Sequence, residues 1–394
     1  MTTIACKGFK ATGLHSGLKE NRDKDLGLIY SETPATVAGV FTQNKIKAAP
    51  VLLDQERIAC GMARAVIVNS GNANCCNGNQ GYRHALETTA AVAQLLGVPE
   101  KEVLVSSTGV IGQKLPIDKI TAAAPDLVKT LKTDGFLDFA QAIMTTDTVP
   151  KIQHLQGQEN GRPYHLVGIA KGSGMIAPNM ATMLCYICSD VSMPQSLLQK
   201  LLSTTVDATL NRICIDGDTS TNDTTLLLSN GCSGVTLDRM DQAAGFQNLL
   251  EQLLGSLAKQ LVKDGEGTTK SVEIIVAGAS SDLDARTIAD TVARSPLVKT
   301  ALFGMDANWG RIIAAAGRAG VPVDPDHIDI YFNQVQMTRN SMGCGENAES
   351  QASQVLREPE FSITIDLNMG PGRASVLTCD FSVEYVKINA DYRS

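Results

Sequence analysis

The chain has 394 residues, 43% of them hydrophobic and 19% charged, an ordinary balance for a folded chain with two or three cores. Its formal net charge of −7, without any Lys/Arg run, leaves no electrostatic footprint for nucleic acid or anionic lipid. No apolar stretch approaches the about 18–20 residues of a membrane span, and "MTTIACKGFKATGLHSG" holds no signal-peptide core, so a cytoplasmic location is expected.

Along the chain, the first forty-odd residues read as short strands and turns, with "ATVAGVFTQ" the clearest strand. "ARAVIVNSGNANCCNGNQG" is a buried strand followed by a long Gly/Asn loop, either a wide turn or a source of N–H groups for a ligand. "HALETTAAVAQLLGV" has helical periodicity and ends near Gly97. "EVLVSSTGVIG" is a strand closing at Thr108-Gly109. Helical segments follow around "PIDKITAAAPDLVKTL" and "LDFAQAIMTTDT". "RPYHLVGIAKGSGMIAPNMATMLCYICSD" reads as strand, tight turn, strand, and "PQSLLQKLLSTTVDATLNRI" as a long helix. A polar stretch, "CIDGDTSTNDTTLLLSNG", leads into a strand, and a second long helix ends at Gly265. "SVEIIVAG" is a strand and "DLDARTIADTVARSPLVKTAL" a helix. From about Pro322 the chain is strand-rich, and the shift in character puts a domain boundary near residue 280.

The ten cysteines lack a secretory context and are expected as reduced thiols. Cys185 and Cys188 form a CxxC on a predicted strand, where side chains three apart face opposite ways, which argues against a shared metal or redox role. Cys75-Cys76 has no second ligand pair, and the five histidines show no metal spacing. Asp216, Asp218 and Asp223 lack the Gly and Glu spacing of a calcium loop and read as a polar turn. No metal site is expected.

The informative stretch is "KGSGMIAPNMATMLCYICSD", which begins at Lys171. Thr182 stands at the entrance of an apolar run, behind the small Ala181. A Thr there is ordinarily a β-former. Its Oγ can also attack the carbonyl of Ala181, and hydrolysis of the resulting ester cuts the chain. The new Thr182 α-amine, with an ordinary pKa of about 7.7–8.0, then serves as base for its own hydroxyl. Gly172, Gly174 and Pro178-Asn179 permit the bent approach this needs.

In combination, "NSGNANC", "SSTGVIG", "AIMTTDTVPK", "KGSGMIAPNMATML", "DGDTSTNDT", "GMDANWGRI" and a terminal "INADYRS" resemble the ornithine acetyltransferase family, the ArgJ-type glutamate N-acetyltransferases. The resemblance runs from the N-terminal segment to the last residue. It implies an α/β (α+β) fold, a layered αββα sandwich with a smaller strand-rich C-terminal domain. It implies cleavage between Ala181 and Thr182 into an α chain of residues 1–181 and a β chain of 182–394, with 182–280 completing the core domain, 281–394 forming the C-terminal one, and an α2β2 heterotetramer as the assembly.

The resemblance further implies that Thr182 is the nucleophile, and that the Thr108 hydroxyl and Gly109 N–H form an oxyanion hole. Thr148, Lys171, Thr182, Glu266, Asn389 and Ser394 would bind substrate. Lys171 would meet a carboxylate and Glu266 an ammonium. Each has a plainer reading, as a strand-end turn, a helix-ending hydroxyl or a solvated loop charge. The implied reaction moves acetyl from N2-acetyl-L-ornithine to L-glutamate without a bound cofactor, with acetyl-CoA as a further possible substrate. The competing readings are a hydrolase with the same nucleophile, an amidase or aminopeptidase, and an uncut, non-catalytic binding protein.

Overall fold

Alternating apolar side chains build most of the strands, and the computed structural model describes residues 4–177 and 183–391. The strands run in chain order as β1 (Phe9–Leu14), β2 (Leu26–Phe41), β3 (Met62–Asn72), β4 (Val103–Val110), β5 (Lys151–Glu159), β6 (Arg162–Lys171), β7 (Leu184–Ser189), β8 (Ile213–Cys214), β9 (Thr224–Ser229), β10 (Ser271–Ala279), β11 (Asp329–Phe332), β12 (Val335–Arg339), β13 (Met342–Gly343), β14 (Glu360–Asp366) and β15 (Gly372–Cys379). The fold is mixed α/β, with two sheets among the described residues.

The described residues divide into two compact units, one of 4–172, 183–211 and 218–261, the other of 173–177, 212–217 and 262–391. The strand β10 precedes the expected boundary near residue 280 yet lies inside the second unit's sheet, between β14 and β15.

The first sheet has the order β4-β3-β2-β9-β7-β6-β5, with β1 on β2. Successive residues feed its two faces. Leu26, Leu28, Ile67, Val103 and Val105 pack with apolar residues of the helices Gly78–Leu96 and Ile117–Lys129. Ile29, Val66, Val68 and Leu104 join Phe136, Phe139 and Tyr186 on the other face. Cys185 and Cys188 lie on opposite faces of β7, both buried. The second sheet has the order β13-β12-β11-β14-β10-β15-β8. The helix Asp282–Ala293 lays Ala285, Ile288, Ala289 and Val292 on its apolar face.

Several elements differ from the sequence reading. The helix expected at "HALETTAAVAQLLGV" starts earlier, at Gly78, so the Gly/Asn loop is short. Gly81 is a packing residue there, since a Cβ would come within 2.9 Å of Asn74 and Asn77. The strand β5 was not anticipated. It pairs with β6 through Asn160-Gly161, both with positive φ, as a two-residue hairpin requires. The helix around "LDFAQAIMTTDT" stops at Ala142. Pro296 breaks the next expected helix into Asp282–Ala293 and Pro296–Phe303, because proline suits a helix's first turn and not its interior. The end of the chain is not all strand: Ser382 accepts from the N–H of Tyr385 and caps the helix Val383–Ala390.

Candidate active site

In the first unit, Thr108 and Gly109 lie near the end of β4, where its parallel ladder with β3 becomes irregular. Gly109 faces Gly71 across that ladder and has a φ of +131°. A Cβ there would sit 2.3 Å from the Gly71 carbonyl carbon, so the two strand ends approach this closely only because residue 109 is glycine. The turn beside them is held by buried amides. Asn69 accepts from the Ser107 hydroxyl at 2.6 Å, and the Asn222 side chain donates to the carbonyls of Ala73 and Ser107 at 2.7 and 2.8 Å. Thr108 is left half-buried, a hydroxyl at a rigid strand end.

Lys171 is the half-buried last residue of β6. Asp147 organises the segment around it. Its carboxylate accepts from the Gly172 N–H at 2.8 Å, the Thr145 N–H at 3.0 Å and the ammonium of Lys151 at 2.7 Å. The side chains of Asp147 and Lys151 are fully buried. Burial alone would raise the Asp147 carboxyl, but the charges of Lys171 and Lys151 and the N–H of Thr145 outweigh it and hold it at about 2. Thr148, one residue on, is exposed.

In the second unit, Glu266 is only 7% exposed, which removes the solvated-loop reading. Its N–H donates to the Ser173 carbonyl at 2.7 Å, and its Oε2 accepts from the Asn389 side chain at 2.8 Å. Two of the expected binding residues, nearly the length of the second unit apart in sequence, are thus in direct contact. Gly174 makes room for the carboxylate, since a Cβ there would lie 2.4 Å from Glu266 Oε2. Such a carboxylate, buried and already holding one amide donor, is a strong acceptor for a cation.

Thr182, Ala181 and Ser394 lie outside the described residues. Sequence reasoning missed Asp147, and it read Gly174 only as chain flexibility rather than as room for the Glu266 carboxylate. Asp147 lies inside the quoted "TTDTVPK", four residues before Lys151, which was the available signal. It also left the acidic stretch as a polar turn, whereas Asp216 accepts from the N–H groups of Met175 and Ile176. Among the described residues, no group of three or more His, Cys, Asp or Glu is arranged to hold a metal ion.

The ArgJ family model matches residues 10–394. An arginine biosynthesis bifunctional protein ArgJ from Geobacter sulfurreducens is 50% identical over 390 residues, covering 98% of this chain and 99% of that one. This chain belongs to the ArgJ family. A second family member, from Syntrophotalea carbinolica, is 47% identical over 99% of this chain and all of its own. A solved ornithine acetyltransferase from Mycobacterium tuberculosis, in complex with ornithine, is 37% identical over 45% of this chain and 97% of its own, with a TM-score of 0.40. Among the described residues of this ArgJ-family chain, no helix is long and apolar enough to cross a membrane.

Proposed function

We propose that the chain cuts itself before Thr182 and then moves acetyl from N2-acetyl-L-ornithine to L-glutamate. Family membership across residues 10–394, with the whole motif around Thr182 inside the match, carries this reading. Thr182 Oγ attacks the acetamide carbonyl while the free α-amine takes the hydroxyl proton. That proton passes to the departing ornithine nitrogen, and an acetyl ester remains on Thr182. The glutamate amine attacks the ester and regenerates the hydroxyl. One difficult amide exchange becomes two easier steps. Thr108 and Gly109 would hold the oxyanion of each tetrahedral intermediate.

Glu266, positioned by Asn389, would take the side-chain ammonium of ornithine, and Lys171 a substrate carboxylate. Thr148 and Ser394 would complete binding. No resident metal or cofactor enters this chemistry. The word "bifunctional" in the relatives' names supports a second donor, for which we propose acetyl-CoA. The proposed assembly is an α2β2 heterotetramer. Ten free cysteines fit the proposed cytoplasmic location.

Purified protein given glutamate and either N2-acetylornithine or acetyl-CoA tests the reading. N-acetylglutamate should form faster than acetate, with two fragments on a denaturing gel and the second beginning at Thr182. Acetate release that outpaces acetyl transfer would make the protein a hydrolase. An intact chain that still transferred acetyl would remove the N-terminal nucleophile.

A further inference from the structure

The turn after β3 carries an adjacent pair, Cys75-Cys76 in "NANCCNG", that has no part in the acetyl transfer described above. Their Sγ atoms lie 3.7 Å apart, with Cys75 buried and Cys76 exposed. Asn74 and Cys76 flank Cys75 with φ of +46° and +61°, a region uncommon outside glycine. Buried hydrogen bonds hold this conformation. The Asn74 N–H donates to the Asn72 side chain at 2.8 Å, and the Asn74 side chain donates to the Gly81 carbonyl at 2.9 Å. The two thiols are thereby held side by side before any ligand arrives.

The same turn is tied to the strand end that carries Thr108 and Gly109. The Ala73 N–H donates to the Val110 carbonyl at 3.0 Å, and the Gly112 N–H to the Cys75 carbonyl at 3.1 Å. The Asn222 side chain links the carbonyls of Ala73 and Ser107. A shift of Cys75 therefore reaches the end of β4 through single hydrogen bonds.

A thiolate bonds a soft centre such as zinc at about 2.3 Å, so one atom held by two sulfurs at a near-tetrahedral angle spans about 3.8 Å. The separation of the pair matches that bridge. A direct disulfide fits less well. Neighbouring Cα atoms are about 3.8 Å apart, whereas a disulfide ordinarily spans about 4.4–6.8 Å. Zinc itself needs further ligands, and among the described residues no group of three or more His, Cys, Asp or Glu is arranged to supply them. The centre that fits takes two sulfurs and brings its own third substituent, which is the valence of trivalent organic arsenic.

We propose that Cys75 and Cys76 form a dithiol clamp for a trivalent organoarsenical, and that loading the clamp disables the neighbouring end of β4. Arsenic bonds first to the exposed Cys76 Sγ, and Cys75 Sγ then closes the ring in an intramolecular step. With an arsine oxide, two As–S bonds form while two S–H bonds and the arsenic–oxygen bond break. Both protons leave with the oxygen as one water, and nothing is oxidised or reduced. The clamp is independent of the acetyl transfer proposed above, whereas its effect on catalysis rests on that reading.

The test treats the folded, purified protein with phenylarsine oxide and reads its intact mass. Wild type should gain one phenylarsenic group that survives excess 2-mercaptoethanol and leaves with 2,3-dimercaptopropanol, since a dithiol competes with a two-sulfur site and a monothiol does not. Cys75→Ala and Cys76→Ala should each lose the monothiol-resistant adduct. Cys76 is exposed, so Cys76→Ala decides if Cys75→Ala lacks a cooperative melt. A resistant adduct that persists in Cys76→Ala, or none in wild type, overturns the clamp. Loading should lower kcat for acetyl transfer by about 10²-fold, as loss of an oxyanion donor does, and the same treatment should leave Cys76→Ala active. Full activity in loaded wild type overturns the link to β4. Untreated wild type without acetyl transfer refutes the proposed function instead, and the adduct mass still decides the clamp.

Discussion

Gly174 carries no side chain where the Glu266 carboxylate needs the space. The atoms a Cβ would meet belong to the end of a flexible side chain, so Gly174→Ala should fold and instead push the carboxylate away from Asn389. A displacement near 1 Å in a positioned group typically costs about 10²-fold in rate. We expect kcat/KM for N2-acetylornithine to fall by roughly that factor with an unchanged melting temperature. Normal kinetics in this variant would detach Glu266 from the substrate.

Asp147 makes a different prediction at the same scale. Its folded pKa of about 2 lies below the ordinary 3.8, so its charged form is favoured by folding. The contribution, about 2 kcal/mol, is fully present above the unfolded pKa and is lost as pH falls through the folded one. Urea midpoints should therefore drop between about pH 4 and pH 2 in wild type. Asp147→Asn strands the buried Lys151 ammonium and should cost about 3–5 kcal/mol at neutral pH. A midpoint within error of wild type at neutral pH would show that the pair contributes nothing.

At the scale of elements, the helix Val383–Ala390 matters because it carries Asn389. Its cap, Ser382, does two things at once: it accepts the Tyr385 N–H and donates to the Gly267 carbonyl at 2.6 Å, next to Glu266. The same hydroxyl therefore ties the helix to the turn whose carboxylate Asn389 contacts. Ser382→Ala should lower stability by about 1 kcal/mol and raise KM for N2-acetylornithine more than it lowers kcat. An equal fall in kcat with KM unchanged would place the helix in the chemistry rather than in binding.

At the scale of the whole molecule, the sheet order decides what the proposed self-cleavage would do to the chain. β7 and β9 follow Thr182, whereas β2 and β6 precede it. The order β2-β9-β7-β6 interleaves the two fragments within one sheet. β6 pairs with β7 from Leu166–Ser189 to Lys171–Leu184, and β2 pairs with β9 over six residues. Two ladders and a shared apolar face should keep the fragments together after the peptide bond is gone. Native size exclusion should give one species where a denaturing gel gives two. Fragments that separate without denaturant would contradict this sheet order.

The chemistry proposed for Thr182 is argued from the sequence because the motif is local: nucleophile, small neighbour and flexible glycines lie within a dozen residues. Most strands were legible for the same reason, since period-2 patterning and a Thr-Gly strand end are short-range signals. Pro296 and Ser382 were also readable, and were passed over in favour of longer patterns. The pairing of Glu266 with Asn389 was a different matter. A charged residue in a glycine-rich loop and an amide near the chain end carry no periodic sign of each other. Only the second unit's folding buries the one and brings the other to 2.8 Å from it. Asp223 looked like one acid among three in a polar turn. Its burial, next to the Thr224 N–H that donates to the Met183 carbonyl, exists because β9 and β7 are parallel neighbours, and that neighbourhood is set by long-range packing rather than by local propensity.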